Sequence, residues 1–155
     1  MRRFLIVYAV VTNILLVDAF TKEVAARCLK GAAARSLIDG FFALTYVENR
    51  GCAWGMLQGH VWPLAVFGLV AFALLVWKRA SFFVSAGKLG LIAEPLLYAG
   101  ILGNVIDRFV RGYVVDFFDF HWAEAYHFPC FNVADVCISV AAALLVLSSV
   151  CSKRK

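Results

Sequence analysis

The chain has 155 residues, 63% of them hydrophobic and 16% charged, with a formal net charge of +5. A mean hydropathy of +0.84 excludes an ordinary soluble domain, and the length suits one domain. The basic residues split into Arg2–Arg3, Lys78–Arg79 with Lys88, and Lys153–Arg154–Lys155, each beside apolar sequence; this excludes a single nucleic-acid patch and fits membrane anchoring.

Apolar residues come in long blocks rather than amphipathic stripes, which predicts four membrane spans. The first covers about 4–20. Arg2–Arg3 followed by "FLIVYAVVTNILLV" resembles a secretion signal, but no small-x-small cleavage site follows, so the segment is read as a retained helix. Residues 21–38 read as a short amphipathic interfacial helix. Residues 39–58 are rich in aromatic and β-branched types, and Asn49-Arg50-Gly51 divides them into two short strands or a hairpin. The second span is 61–77, with Pro63 in its first turn. The third runs from about 89 to 106 and the fourth from about 133 to 151. Seventeen residues rise only about 26 Å, near the lower limit for spanning. The positive-inside rule places both termini and the 78–88 loop in the cytoplasm, leaving 21–60 and 107–131 outside. Against this, 21–60 itself carries five Lys/Arg.

Five cysteines are present without a C-x-x-C pair. Cys137 and Cys151, fourteen apart on one predicted helix, stand about 21 Å apart and cannot bridge within the chain. His127 and Cys130 have ligand-like spacing, but no second pair completes a metal site. His60, His121 and His127 read as loop or interfacial residues, and no metal is expected.

The acids carry the chemistry. Asp18, Glu94, Asp107, Asp116 and Asp135 lie in or at the ends of predicted spans, where a charge costs about 2.5–3.5 kcal/mol at the bilayer centre. Asn104 and Asp107 share a helix face with Arg108 following, and Gly100 and Gly103 admit a close backbone; taken by itself, this cluster reads as a helix end held by polar contacts. In "VVDFFDF", Asp116 and Asp119 sit among Val and Phe, which favours their protonated forms, and spacing does not choose between them. In "FNVAD", Asn132 suits a helix N-cap and Asp135 falls at the third helical position, close to a capping box. A cap alone leaves unexplained why a second acid, Asp116, lies nineteen residues earlier near the same membrane surface. Two such carboxylates share a proton, and the pair can act as base on a water and acid on a leaving amine. The helix dipole favours the charged form of Asp135, suggesting it as the base and Asp116 as the acid. Serines lack a His or Lys partner, and neither G-x-S-x-G nor H-E-x-x-H occurs.

Five ordered motifs resemble those of the lipoprotein signal peptidase (signal peptidase II) family: "VDAFTK" (17–22), "ENRGCAWG" (48–55), "GNVIDR" (103–108), "VVDF" (114–117) and "FNVAD" (131–135). Cys52 stands where that family commonly has a small residue such as alanine. The resemblance implies an all-α membrane protein: four transmembrane helices, a small extracytoplasmic β-like cradle and a short interfacial helix, in one peptidase domain over 1–155. It implies an aspartic endopeptidase of the bacterial inner membrane, without cofactor, working as a monomer near the outer face. Its substrate would be a diacylglyceryl-modified prolipoprotein, cut just before the lipid-bearing cysteine, with the lipid chains remaining in the membrane. Carried over by motif, Asp116 and Asp135 are the catalytic dyad and Asp119 is not. Asn49, Gly51, Asn104, Arg108, Asn132 and Ala134 would bind substrate or support the dyad, and Asp18, Lys22 and Asp107 would be structural polar residues. The competing reading is a small proton- or cation-coupled transporter using the same acids, which predicts acids near mid-membrane and repeat symmetry. A structural membrane subunit is a third reading; it leaves the acids as an unexplained cost.

Overall fold

Helix α1 (Arg2–Leu29) is a single 28-residue rod, about 42 Å long at helical rise. The structure is a computed structural model that describes residues 2–122 and 126–152; the basic cluster Lys153–Arg154–Lys155 lies outside them. The length of α1 corrects the expectation of a separate interfacial helix at 21–38. Ala25, Ala26, Arg27 and Leu29 are strong helix formers, and no breaker occurs before Gly31, whose φ of +77° ends the run. The rest of that segment becomes strand β1 (Arg35–Ile38).

Strand β1 pairs antiparallel with β2 (Phe42–Asn49), and Gly40, at φ +70°, makes the connection between them. The hairpin turn is therefore at Asp39–Gly40; the Asn49-Arg50-Gly51 signal ends β2 instead. A bulge between Leu44 and Val47 interrupts the pairing of β2 with β3 (Val114–Trp122), which in turn pairs with β4 (Tyr126–His127). The antiparallel order is β1-β2-β3-β4. The sheet is larger than two strands because "VVDFFDFHW" is itself a strand, as its Val and Phe content favours. Val115 and Phe117 bury against Ala25 and Leu29, seating the sheet on the end of α1.

The remaining helices are α2 (Val61–Trp77), α3 (Gly87–Arg111) and α4 (Val133–Ser152), with a π-helical turn at Ala80–Val84 before α3. Helix α3 runs past the expected end at 106 and takes in Asp107, Arg108 and Arg111. It stops at Gly112, whose φ of +77° lets its N–H donate to the Arg108 carbonyl at 3.2 Å. Among the described residues, α1, α3 and α4 are long and apolar enough to cross a membrane, and α2 is apolar but shorter. Their outward faces carry large apolar side chains such as Phe4, Tyr8, Phe20, Phe67 and Val146, as lipid-facing surfaces do.

Helix α3 packs against the other three. A Cβ at Gly100 would stand 2.5 Å from the Ala134 carbonyl oxygen, so α4 approaches there as closely as the small-residue reading expects. At the end of the bundle away from the sheet, buried Glu94 accepts from Arg3 at 3.0 Å and from Arg79 at 2.9 Å.

Candidate active site

The site forms where the ends of α1, α3 and α4 meet β3. Four expected residues build its floor. Lys22, only 1% exposed, lies 2.8 Å from Asp18 and 3.0 Å from Asp107, and donates to the Asn104 side-chain oxygen at 3.2 Å. One buried cation thus sits among two acids and an amide, drawn from α1 and α3. Asp18 also accepts from the Ala134 N–H at 2.9 Å, fixing the first turn of α4, and Asp107 accepts from the Val115 N–H at 3.2 Å, fixing β3. Asp18, Lys22 and Asp107 therefore orient the two elements that carry the other acids. Ala134, fully buried, takes part through its backbone.

Asn132 caps α4. Its side-chain oxygen accepts from the Asp135 N–H at 3.0 Å, and the Asp135 carboxylate accepts from the Asn132 N–H at 3.2 Å. This is the reciprocal cap that the sequence offered. The same Asn132 side chain also donates to Asp116 at 2.7 Å, with the Val115 carbonyl and Asn104 oxygen slightly farther away. Asp116 accepts from Asn49 at 2.9 Å, and Asp135 accepts from Asn104 at 2.7 Å. Three asparagines thus hold two carboxylates, and each acid keeps an edge on one cavity of about 490 Å³.

Their neighbours separate the two acids of "VVDFFDF". Between them the N–H groups of Phe117 and Phe118 both donate to the Phe131 carbonyl, at 3.1 and 2.9 Å, a bulge that interrupts the alternation of β3. Val114 and Asp116 face the cavity; Asp119 instead lies beside His121 and His127. What separates Asp116 from Asp119 is position along the bulged strand and the partners met there.

Burial raises Asp116 to about 7, with the negative charge of Asp135 the next cause; the hydrogen bonds from Asn49 and Asn132 oppose the rise. A carboxyl group poised there can hold or release a proton near neutrality. Burial pushes the Cys130 thiol, also on the cavity wall, up to about 11, so it does not compete as a thiolate nucleophile.

Arg108 ties the loop after β2 to the helices. Its guanidinium donates to the Gly51 carbonyl at 2.9 Å and to the Asn104 carbonyl at 3.2 Å. Gly51 is closed in: a Cβ there would meet the Met56 carbonyl oxygen at 2.4 Å, and its N–H donates to the Asn49 side chain at 2.9 Å. Trp54, which sequence reasoning did not single out, lines the cavity and packs edge-on against Phe128 at 5.7 Å. Its φ of +62° is uncommon for a bulky side chain. The cavity is also lined by Val136, Ser139 and Val140 of α4, a mostly apolar wall.

The profile of the family described as Signal peptidase (SPase) II matches residues 10–151. A lipoprotein signal peptidase of Clostridium acetobutylicum is 41% identical over 134 residues, covering 86% of each chain. One from Symbiobacterium thermophilum is 40% identical and covers 97% of this chain and 96% of its own. A solved bacterial membrane enzyme, 30% identical, superposes with a TM-score of 0.82 over 95% of this chain and 88% of its own. With matches of this extent, the chain belongs to the signal peptidase II family.

Proposed function

We propose that this peptidase removes the signal peptide from diacylglyceryl-modified prolipoproteins, with Asp116 and Asp135 as its catalytic dyad. The carrying observation is that Asn132 bonds to both acids while both line one cavity. In the resting pair one proton is shared. The charged carboxylate takes a proton from water as the water attacks the carbonyl carbon preceding the lipid-bearing cysteine. The protonated carboxyl gives its proton to the departing amine. The products are the carboxylate end of the signal peptide and a free amino group on the cysteine. Asp116, lifted to about 7, suits the acid at the start.

Substrate positioning follows the cavity. A signal peptide is an apolar helix and fits along the mostly apolar Val136–Val140 wall. The lipid chains stay in the membrane. The loop fixed by Arg108 and Gly51 lies over the peptide as a clamp and supplies orientation. No cofactor enters this mechanism.

In this reading α2 is the fourth span, shortened to 17 residues and accommodated by local thinning. Arg3 and Arg79 mark the cytoplasmic end, and the sheet and dyad lie near the outer face. Each protomer contains a complete site, consistent with a monomer. The transporter alternative loses its ground because the paired acids cluster beside the sheet at one end of the bundle.

The test uses purified protein in detergent with a diacylglyceryl-modified prolipoprotein. Asp116→Asn and Asp135→Asn should each lower cleavage about a hundredfold or more, while Asp119→Asn retains most activity. Normal cleavage by both of the first two variants would eliminate the dyad. Equal cutting of an unmodified prolipoprotein would eliminate the lipid requirement.

A further inference from the structure

A second polar cluster lies farther along β3, past the Phe117–Phe118 bulge from Asp116. Asp119 and His121, two apart, share one face of the strand, and the antiparallel register sets His127 of β4 directly across from His121. Asp119 Oδ1 is 3.2 Å from His127 Nδ1, and Oδ2 is 3.6 Å from His121 Nδ1. One potential ligand atom from each residue lies within 4.8 Å of the others. The two imidazoles stack, with centroids 5.1 Å apart and planes inclined by 24°. Ligands around a tetrahedral zinc ion stand roughly 3.3 Å from one another, so two of the three spacings are already close to that value.

The pairing of Asp119 with His127 by itself needs no metal. His121 does not fit that simple picture. Its Nδ1 is buried and has no hydrogen-bond partner among the described residues. At 3.6 Å the Asp119 carboxylate is too far to supply one. Such an orphaned nitrogen is costly, and a metal ion between it and the carboxylate would satisfy both. The scaffold is fixed: the His121 N–H donates to the Phe41 carbonyl at 2.9 Å, and the Phe128 N–H donates to the Phe120 carbonyl at 2.8 Å. His127, whose side chain is 58% exposed, has room to adjust its ring.

We propose that Asp119, His121 and His127 bind one divalent transition-metal ion of the zinc type, in a structural site separate from the peptidase dyad. Two imidazoles and one carboxylate select zinc and its first-row neighbours over magnesium or calcium. Water completes the coordination. The ion ties β4 to β3, and the chain leaving β4 is Phe128–Phe131, one wall of the peptidase cavity. Metal binding therefore stiffens that wall without entering the bond-breaking step, and it stands whether or not the cleavage assignment holds.

The test is calorimetric titration of Zn²⁺ into the full chain in detergent after chelator treatment, with hydrogen exchange over 126–131 as a second readout. One equivalent should bind, and exchange in that segment should slow. His127→Ala, at an exposed position, should weaken binding about tenfold or more and abolish the slowing. His121→Gln and Asp119→Asn should weaken it likewise, whereas His60→Ala should leave it unchanged. Absence of zinc binding would overturn the site. Binding undiminished in His127→Ala, or Mg²⁺ binding as tightly as Zn²⁺, would do the same.

Discussion

Asn132 donates its side-chain amide to Asp116 at 2.7 Å, joining the first residue beyond the α4 helical end to the middle of β3. The same side chain caps the Asp135 N–H, so one amide sets both the start of a membrane helix and the placing of two acids. Asn132 is completely buried, and deleting its side chain strands an acceptor and a donor together.

Asn132→Ala should therefore lower the turnover of a lipid-modified prolipoprotein about ten- to a hundredfold, the equivalent of about 1–3 kcal/mol for the lost buried bonds. Asn132→Asp keeps the cap oxygen but adds a negative charge beside Asp116, and should be at least as damaging. Turnover within a factor of about two of wild type in Asn132→Ala would show that the bridge is dispensable.

The pH dependence follows from Asp116, which burial and then the Asp135 charge raise to about 7. Its folded-state value lies above its unfolded one, so between about pH 4 and pH 7 the folded chain holds the extra proton. For an acid displaced in this direction, stability falls as pH rises through that window and levels off above about 7. Cleavage should decline over the same upper limb as the shared proton is lost. Asp116→Asn should flatten the stability slope while abolishing cleavage, measurable as thermal midpoints in detergent from pH 4 to 8. A slope unchanged in the variant would assign the titration to another group.

Lys22 is the counter-charge for Asp18 and Asp107 at 2.8 and 3.0 Å, all three buried. Lys22→Met leaves Asp18 without a cation and Asp107 with Arg111 alone, at 3.2 Å, and should cost about 3–5 kcal/mol, seen as poor accumulation or a sharply lowered thermal midpoint. Lys30 pairs with Glu48 at 3.0 Å in the open, and Lys30→Ala should change the midpoint little. Similar behaviour of the two variants would show that the buried network is not structural.

Gly103 is closed in by Asp18: a Cβ there would stand 2.6 Å from its Oδ2 and 3.3 Å from the Ala134 Cβ. Gly103→Ala should separate α3 from α1 and α4 at the floor of the site. A destabilisation of about 1–3 kcal/mol, with a larger fractional loss of cleavage than of folded protein, is the expected outcome. Unaltered activity per folded molecule would mean that the floor absorbs the methyl group without moving the acids.

Much was legible in local pattern. Hydropathy marked the four apolar helices, and the bounds of α2 are those read from the sequence. Asn132 and Asp135 carried their cap in a three-residue spacing, because capping is a contact between neighbours. Gly100 signalled a close helix crossing through its missing side chain. The interfacial helix at 21–38 was misplaced because a charged, alanine-rich segment has the same composition as the end of a longer helix.

What the sequence determined by itself was the set of apolar helices, the cap, and an ordered series of polar motifs at their ends. Each depends on residues within a turn or two of one another. Only the tertiary structure decided that "VVDFFDF" is a strand, that Asp116 lines the cavity while Asp119 meets two histidines, and that His127 lies across from His121. Those outcomes follow from strand pairing and burial against distant elements. Where a strand bulges and which residues it meets are set by its register with distant partners, neither of which is contained in the spacing of the residues alone.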